Sequence, residues 1–114
     1  MEFSQDLIRG SIVPIILALL KERQMYGYEM VKVVNARTNG RFQWREGTLY
    51  PTLHRLEGEG MLSSSWQEVP TANAEKTKKR KYYSITGNGL RELSRRTDEW
   101  HQFSAAVNAC LMGA

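Results

Sequence analysis

The chain has 114 residues, which suits one domain with a modest core, and its 25% of charged residues favours a globular fold over disorder. The formal net charge is +4 and it is localised: residues 1–69 carry eight basic and eight acidic side chains, residues 70–114 carry eight basic and four acidic. Five of those last eight basic residues fall between Lys76 and Lys81, a cluster that points to phosphate rather than to general solubility.

The first helix is expected from Asp6 or Ser11 to Arg23. Ile8, Ile12, Ile15, Ile16, Leu19 and Leu20 share one face, and Val13 and Leu17 lie on another. In a small domain such two-sided apolarity suggests contact with a second subunit. Pro14 suits the first turn if Ser11 caps the helix, and should kink the helix if it starts at Asp6. Ser11 to Leu20 resembles a signal-peptide core. However, Glu2 and Asp6 precede it, no A-x-A pattern follows, and it is too short to span a bilayer. A buried core helix is the better reading, with no membrane as partner.

The second helix should start at Tyr26 or Gly27 and stop near Asn39-Gly40, with Tyr26, Met30, Val33 and Val34 inward. Tyr28 reads as a core tyrosine. Phe42 and Trp44 then alternate with arginines and Gln43 in a short extended link. In the third helix, Leu49, Leu53 and Leu56 form one narrow apolar stripe before Gly58 and Gly60 end it. At about 100° per residue, Tyr50, Pro51, His54 and Arg55 fall on the outer face. With Thr48, these are the candidate DNA-contacting residues of the helix. The competing reading is a solvated face, in which Arg55 pairs with Glu59 four residues on.

Leu62 to Val69 is strand-like, with Trp66 as its apolar anchor. Pro70 to Thr77 forms a polar tip, and Lys79 to Ile85 is the return strand. A helix with polar readers followed by a basic hairpin is the layout of a winged helix-turn-helix DNA binder. The hairpin cations Lys78, Lys79, Arg80 and Lys81 are candidates for phosphate or minor-groove contact, although strand alternation stops them all facing one way. Tyr82 and Tyr83 point oppositely, one of them into the core.

Thr86 can cap the last helix, although Gly87 and Gly89 weaken its start and no Glu lies three residues on. From there Leu90, Leu93, Thr97, Trp100, Ser104, Val107 and Leu111 follow a heptad seam flanked by Phe103. The expected homodimer interface therefore comprises Ile12 and Ile16 of the first helix with Leu90, Leu93, Trp100, Val107 and Leu111 of the last. The fold class is α+β, mostly α. Residues 1–86 form a winged helix-turn-helix domain and residues 87–114 a dimerisation helix.

Cys110 is alone, so neither an intramolecular disulfide nor a cysteine metal cluster is expected, which fits a reducing cytoplasm. It reads as inert near the helix end, and His101 as a surface histidine. His54 and His101 lack metal-ligand spacing, and no phosphate loop or nucleophile motif occurs. No enzyme, metal or cofactor is expected.

These residues resemble the PadR family of bacterial transcriptional regulators over nearly the whole chain. The resemblance rests on the apolar first helix, Met25-Tyr26-Gly27-Tyr28-Glu29-Met30, the run from Glu46 through Tyr50-Pro51 to Glu57, and Arg80-Lys81-Tyr82-Tyr83-Ser84-Ile85-Thr86. The single helix after the wing is similar to that of the smaller subgroup. The resemblance implies a dimeric repressor that binds an inverted-repeat operator through the third helix and the wing. It also implies release by a small aromatic, cationic or drug-like inducer. Trp100 matches a tryptophan that lines a ligand pore at the dimer interface of some small members, which makes Trp100, Phe103 and Val107 candidate effector contacts. The alternatives are a winged-helix protein-interaction module, or a regulator without a small-molecule effector.

Overall fold

Apolar residues on two sides of one helix need a core on two sides, and this chain supplies both. In the computed structural model, which describes residues 1–73 and 75–113, helix α1 runs Gln5–Glu22. Ile8, Ile12, Val13, Ile16, Leu17, Leu19 and Leu20 are all buried within the single chain, with Ile16 at 0% exposure. Pro14 therefore lies well inside the helix. There its missing N–H and its ring against the Gly10 carbonyl cost about 3 kcal/mol, which the apolar burial of α1 offsets. The expectation that Ile12 and Ile16 face a second subunit is corrected here, because the protomer's own core already covers them.

Two-residue strand β1 (Met25–Tyr26) is too short to announce itself by alternation. It pairs antiparallel with the third strand, Met25 opposite Tyr83 and Tyr26 opposite Tyr82. Helix α2 (Gly27–Arg37) follows, and the Glu29 carboxylate accepts the Tyr26 N–H at 3.3 Å. After its last residue Arg37 and the cap Thr38, the chain turns at Asn39 and Gly40, whose φ values of 53° and 76° are left-handed. Met30, Val31 and Val34 are buried while Val33 is half-buried, so the inward face is rotated slightly from the expected one. Tyr28 is exposed, with the Lys32 ammonium 5.1 Å over its ring; it is not a core tyrosine.

Trp44 is buried in the link, and helix α3 (Glu46–Gly58) inserts Leu49, Leu53 and Leu56 into the core beside α2. Strands β2 (Leu62–Pro70) and β3 (Thr77–Ile85) form the wing, in register from Leu62 opposite Ile85 to Pro70 opposite Thr77. The sheet order is β1-β3-β2. Tyr83 is the tyrosine that enters the core; Tyr82 is half-buried against the edge of the Tyr26 ring, centroids 5.4 Å apart.

Helix α4 (Gly87–Leu111) begins where Thr86 accepts the Gly89 N–H at 3.1 Å and donates its own hydroxyl to the Gly60 carbonyl at 2.6 Å. Gly89 is there for space rather than flexibility. A Cβ at this position would stand 2.2 Å from the Met61 carbonyl oxygen and 2.6 Å from Ile85 Cγ1. Leu93 is buried against the core, and α4 packs on α1. Beyond that point the helix leaves the core, and Trp100, Phe103, Val107 and Leu111 are exposed. Among the described residues, no helix is long and apolar enough to cross a membrane.

Candidate nucleic-acid interface

The leucine stripe fixes the phase of α3, and the phase fixes what it presents. Thr48, Tyr50, Pro51, His54 and Arg55 are all exposed. Tyr50 is the most constrained of them. Its ring lies over the start of α2, where a Cβ on Gly27 would stand 2.7 Å from the ring carbon Cε1, so a larger residue there would push the Tyr50 ring aside. This partial burial pushes the Tyr50 phenol above its ordinary value, with the Glu46 carboxylate adding to the rise, and leaves the hydroxyl a proton donor. Arg55 Nε lies 3.7 Å from Glu59 Oε1, but both side chains are largely exposed. Such a pair contributes little and leaves the guanidinium open to exchange.

The four wing cations are not equivalent. Lys78 and Lys79 are exposed. Arg80 is half-buried, with its guanidinium carbon 5.0 Å from the centre of the Tyr26 ring. Lys81 is half-buried, with Nζ 3.5 Å from Glu57 Oε1 and 5.5 Å from the Tyr83 ring centre. Glu57 in turn accepts the Ser64 hydroxyl. That bond, with the Lys81 charge behind it, holds the Glu57 carboxyl below the usual carboxylate range. Lys81 thus fastens the wing to α3, which sets it apart from Lys78 and Lys79, exposed and without an ion pair among the described residues.

Trp66 is not an apolar anchor. It is 67% exposed, directly across the ladder from Lys81. With Lys79 and Lys81 it forms the wing side of an open groove of about 370 Å³ whose opposite wall is Tyr50 and His54. Tyr26, Gly27, Arg80 and Tyr83 complete the lining. The lining residues include three cations and no carboxylate.

A second concavity, of about 380 Å³, lies between α1 and α4. Leu7, Gly10 and Pro14 face Trp100 and Phe103 across it, with Asp6, Arg96 and Glu99 at its edges. The Trp100 and Phe103 rings are 6.3 Å apart, centre to centre. Val107, grouped with them from the sequence, lies outside this lining.

The fold has counterparts among known proteins. A family model described as the transcriptional regulator PadR-like family matches residues 16–95. An uncharacterized protein of Lysinibacillus sphaericus is 36% identical over 108 residues, which cover 95% of this chain and 94% of that one. A transcriptional regulator from Clostridium thermocellum superposes with a TM-score of 0.81 at 33% identity, covering 93% of this chain and 95% of its own. A PadR family transcriptional regulator from Eggerthella lenta superposes at 0.77 with 35% identity, over 93% of this chain and 86% of its own.

The chain belongs to the PadR family. PadR members are transcriptional regulators, not enzymes. In this PadR chain the structure brings Tyr50 and His54 of α3 together with Lys79, Arg80 and Lys81 of the wing. It separates Ile12, Ile16 and Leu93 from the surface, so of the seven expected dimer residues only Leu90, Trp100, Val107 and Leu111 offer an exposed face. Leu7 is exposed as well and faces Trp100 across the α1–α4 concavity; it falls outside the Ile8-Ile12-Ile16 stripe. Trp66 and Tyr26 were missed at the groove. Trp66 shares its strand face with Ser64 and Glu68, a polar pattern that argues against an anchor.

Proposed function

We propose that this PadR-family regulator is a homodimeric repressor of an inverted-repeat operator, released by an amphiphilic aromatic cation. In this reading α3 enters the major groove, and Thr48, Tyr50, Pro51, His54 and Arg55 meet base edges and the flanking strand. Lys78 and Lys79 take phosphates, and Arg80 does so from its seat on the Tyr26 ring. The observation that carries the reading is the shared groove: readers on one wall, cations on the other, and no carboxylate in the lining. A protein-interaction surface has no need of that sorting of charge.

Dimerisation is supported by the exposed apolar row Leu90, Trp100, Val107 and Leu111 on α4, which a second copy would cover. The inducer reading is supported by the α1–α4 concavity, where Trp100 and Phe103 stand beside the carboxylates of Asp6 and Glu99. Rings plus carboxylates suit a cation with an apolar body. The test is an electrophoretic shift of the DNA upstream of the gene, with light scattering for the oligomer and titration with phenyltrimethylammonium for release. Binding to an inverted repeat by a dimer that the cation dissociates is expected. Absence of duplex binding at low salt would leave the interaction-module reading in its place.

A further inference from the structure

Trp66 has no role in the core, none in the α1–α4 concavity, and none in the ion pairs of the wing. It is a large aromatic ring, 67% exposed, halfway along β2. We propose that Trp66 grips the DNA backbone: its indole seats against a deoxyribose of the strand that crosses the groove between α3 and the wing. This rests on the DNA-binding reading and adds to it a contact that is neither ionic nor base-reading.

Three observations carry the assignment. The groove lining holds Lys79, Arg80 and Lys81 and no carboxylate; Glu57 pairs with Lys81 and Glu68 stands across the ladder from Lys79, both outside the lining, so the surface offered to an occupant is net cationic and suits a polyanion. A second copy of the chain seated there would set the same three cations against themselves. Trp66 pairs in the ladder with Lys81, and Lys81 is tied to Glu57 of α3 at 3.5 Å, so the height of the indole over α3 is fixed. Finally, Trp66 stands four residues before Pro70, the last residue of β2, about 13 Å short of the strand end and further still from the tip beyond it. In this proposal it stands back on the wing side of the groove, away from the base edges that α3 meets. It meets the strand between the two grooves, where the phosphates face the lysines and the sugars present apolar C–H surface. Contacts of this kind set register and carry no sequence information.

The energetic signature differs from that of a lysine. A phosphate contact releases counterions and steepens the dependence of log K on log salt; an indole on a sugar releases none. Trp66→Ala should therefore weaken binding to operator and to random duplex by the same factor, roughly tenfold, as loss of part of a buried aromatic face does. Its salt slope should match the unaltered protein. Trp66→Phe should keep most of the affinity, while Lys79→Ala should flatten the slope. Circular dichroism and thermal melting of Trp66→Phe guard against a misfolded wing. A direct reading is also available: the acrylamide-quenchable fluorescence that Trp66→Phe removes should be shielded when random duplex is added. Unchanged affinity in Trp66→Ala overturns the proposal. So does a loss confined to the operator, which would make Trp66 a base reader, or a loss with a flattened slope, which would mean the lysines had moved. Unaltered protein that binds no duplex overturns the DNA-binding reading itself, and this proposal with it.

Discussion

Replacing Glu57 with Gln should loosen the wing and at the same time strengthen non-specific DNA binding. The Glu57 carboxylate accepts the Ser64 hydroxyl and lies 3.5 Å from Lys81, with about a third of its side chain exposed. A charge-assisted hydrogen bond contributes about 1.5–3 kcal/mol when well shielded. Screening at this exposure reduces the whole arrangement to about 1 kcal/mol. The sign of its pH dependence follows from the lowered carboxyl value. The contribution is complete above the ordinary glutamate value of about 4.3 and is lost as pH falls through the lower folded value. Urea denaturation at pH 7 should show a loss of about 1 kcal/mol in Glu57→Gln, vanishing at a pH where both proteins carry an uncharged group. Combined with Lys81→Met, the two changes should be non-additive by at least about 0.5 kcal/mol. On DNA, Glu57→Gln frees the Lys81 ammonium, so the salt slope should steepen by about one unit. Strict additivity of the two changes, with an unaltered slope, would refute the tether.

Other outcomes test the remaining parts. Tyr50→Ala or His54→Ala should erode preference for operator over random DNA by roughly 1–3 kcal/mol per lost base contact, as read from affinities at one salt concentration. Leu53→Ala should instead lower stability by roughly 2–5 kcal/mol in urea, because Leu53 is buried at 0% exposure. Val107→Asp with Leu111→Asp should give a folded monomer by light scattering, whereas Leu93→Asp should unfold the chain, since Leu93 belongs to the core. Gly89→Ala should lower the thermal midpoint through overpacking of about 1–3 kcal/mol, and an unchanged midpoint would mean that α4 starts elsewhere.

Much of this architecture was legible because local and tertiary demands agree. Leu49, Leu53 and Leu56 leave α3 one possible phase, and the outward residues follow from it. The Asn39-Gly40 stop and the Thr86 cap were readable for the same reason: backbone conformation demanded those residue types. What failed was ambiguity of cause. Two apolar faces on α1 fit either a second subunit or a core that wraps the helix, and only packing against α4 and the sheet decides between them. Trp66 and Tyr28 are amphipathic, so their type does not say which side of the surface they take. β1 has two residues, too few for any period. The groove joins residues from β1, α3 and both wing strands, and its assembly depends on a register that no single segment contains.

The exit of α4 from the core after Leu93 has a consequence for how such a regulator responds in a cell. In the homodimer proposed above, the second half of that helix, dressed in Trp100, Phe103, Val107 and Leu111, completes its packing against another protomer. At low abundance the paired form then scales with the square of the number of chains, so occupancy of a two-fold site rises more steeply than expression does. A modest change in synthesis or turnover is thereby converted into a threshold, and the sharpness of that threshold is set by the few exposed side chains of a single helix.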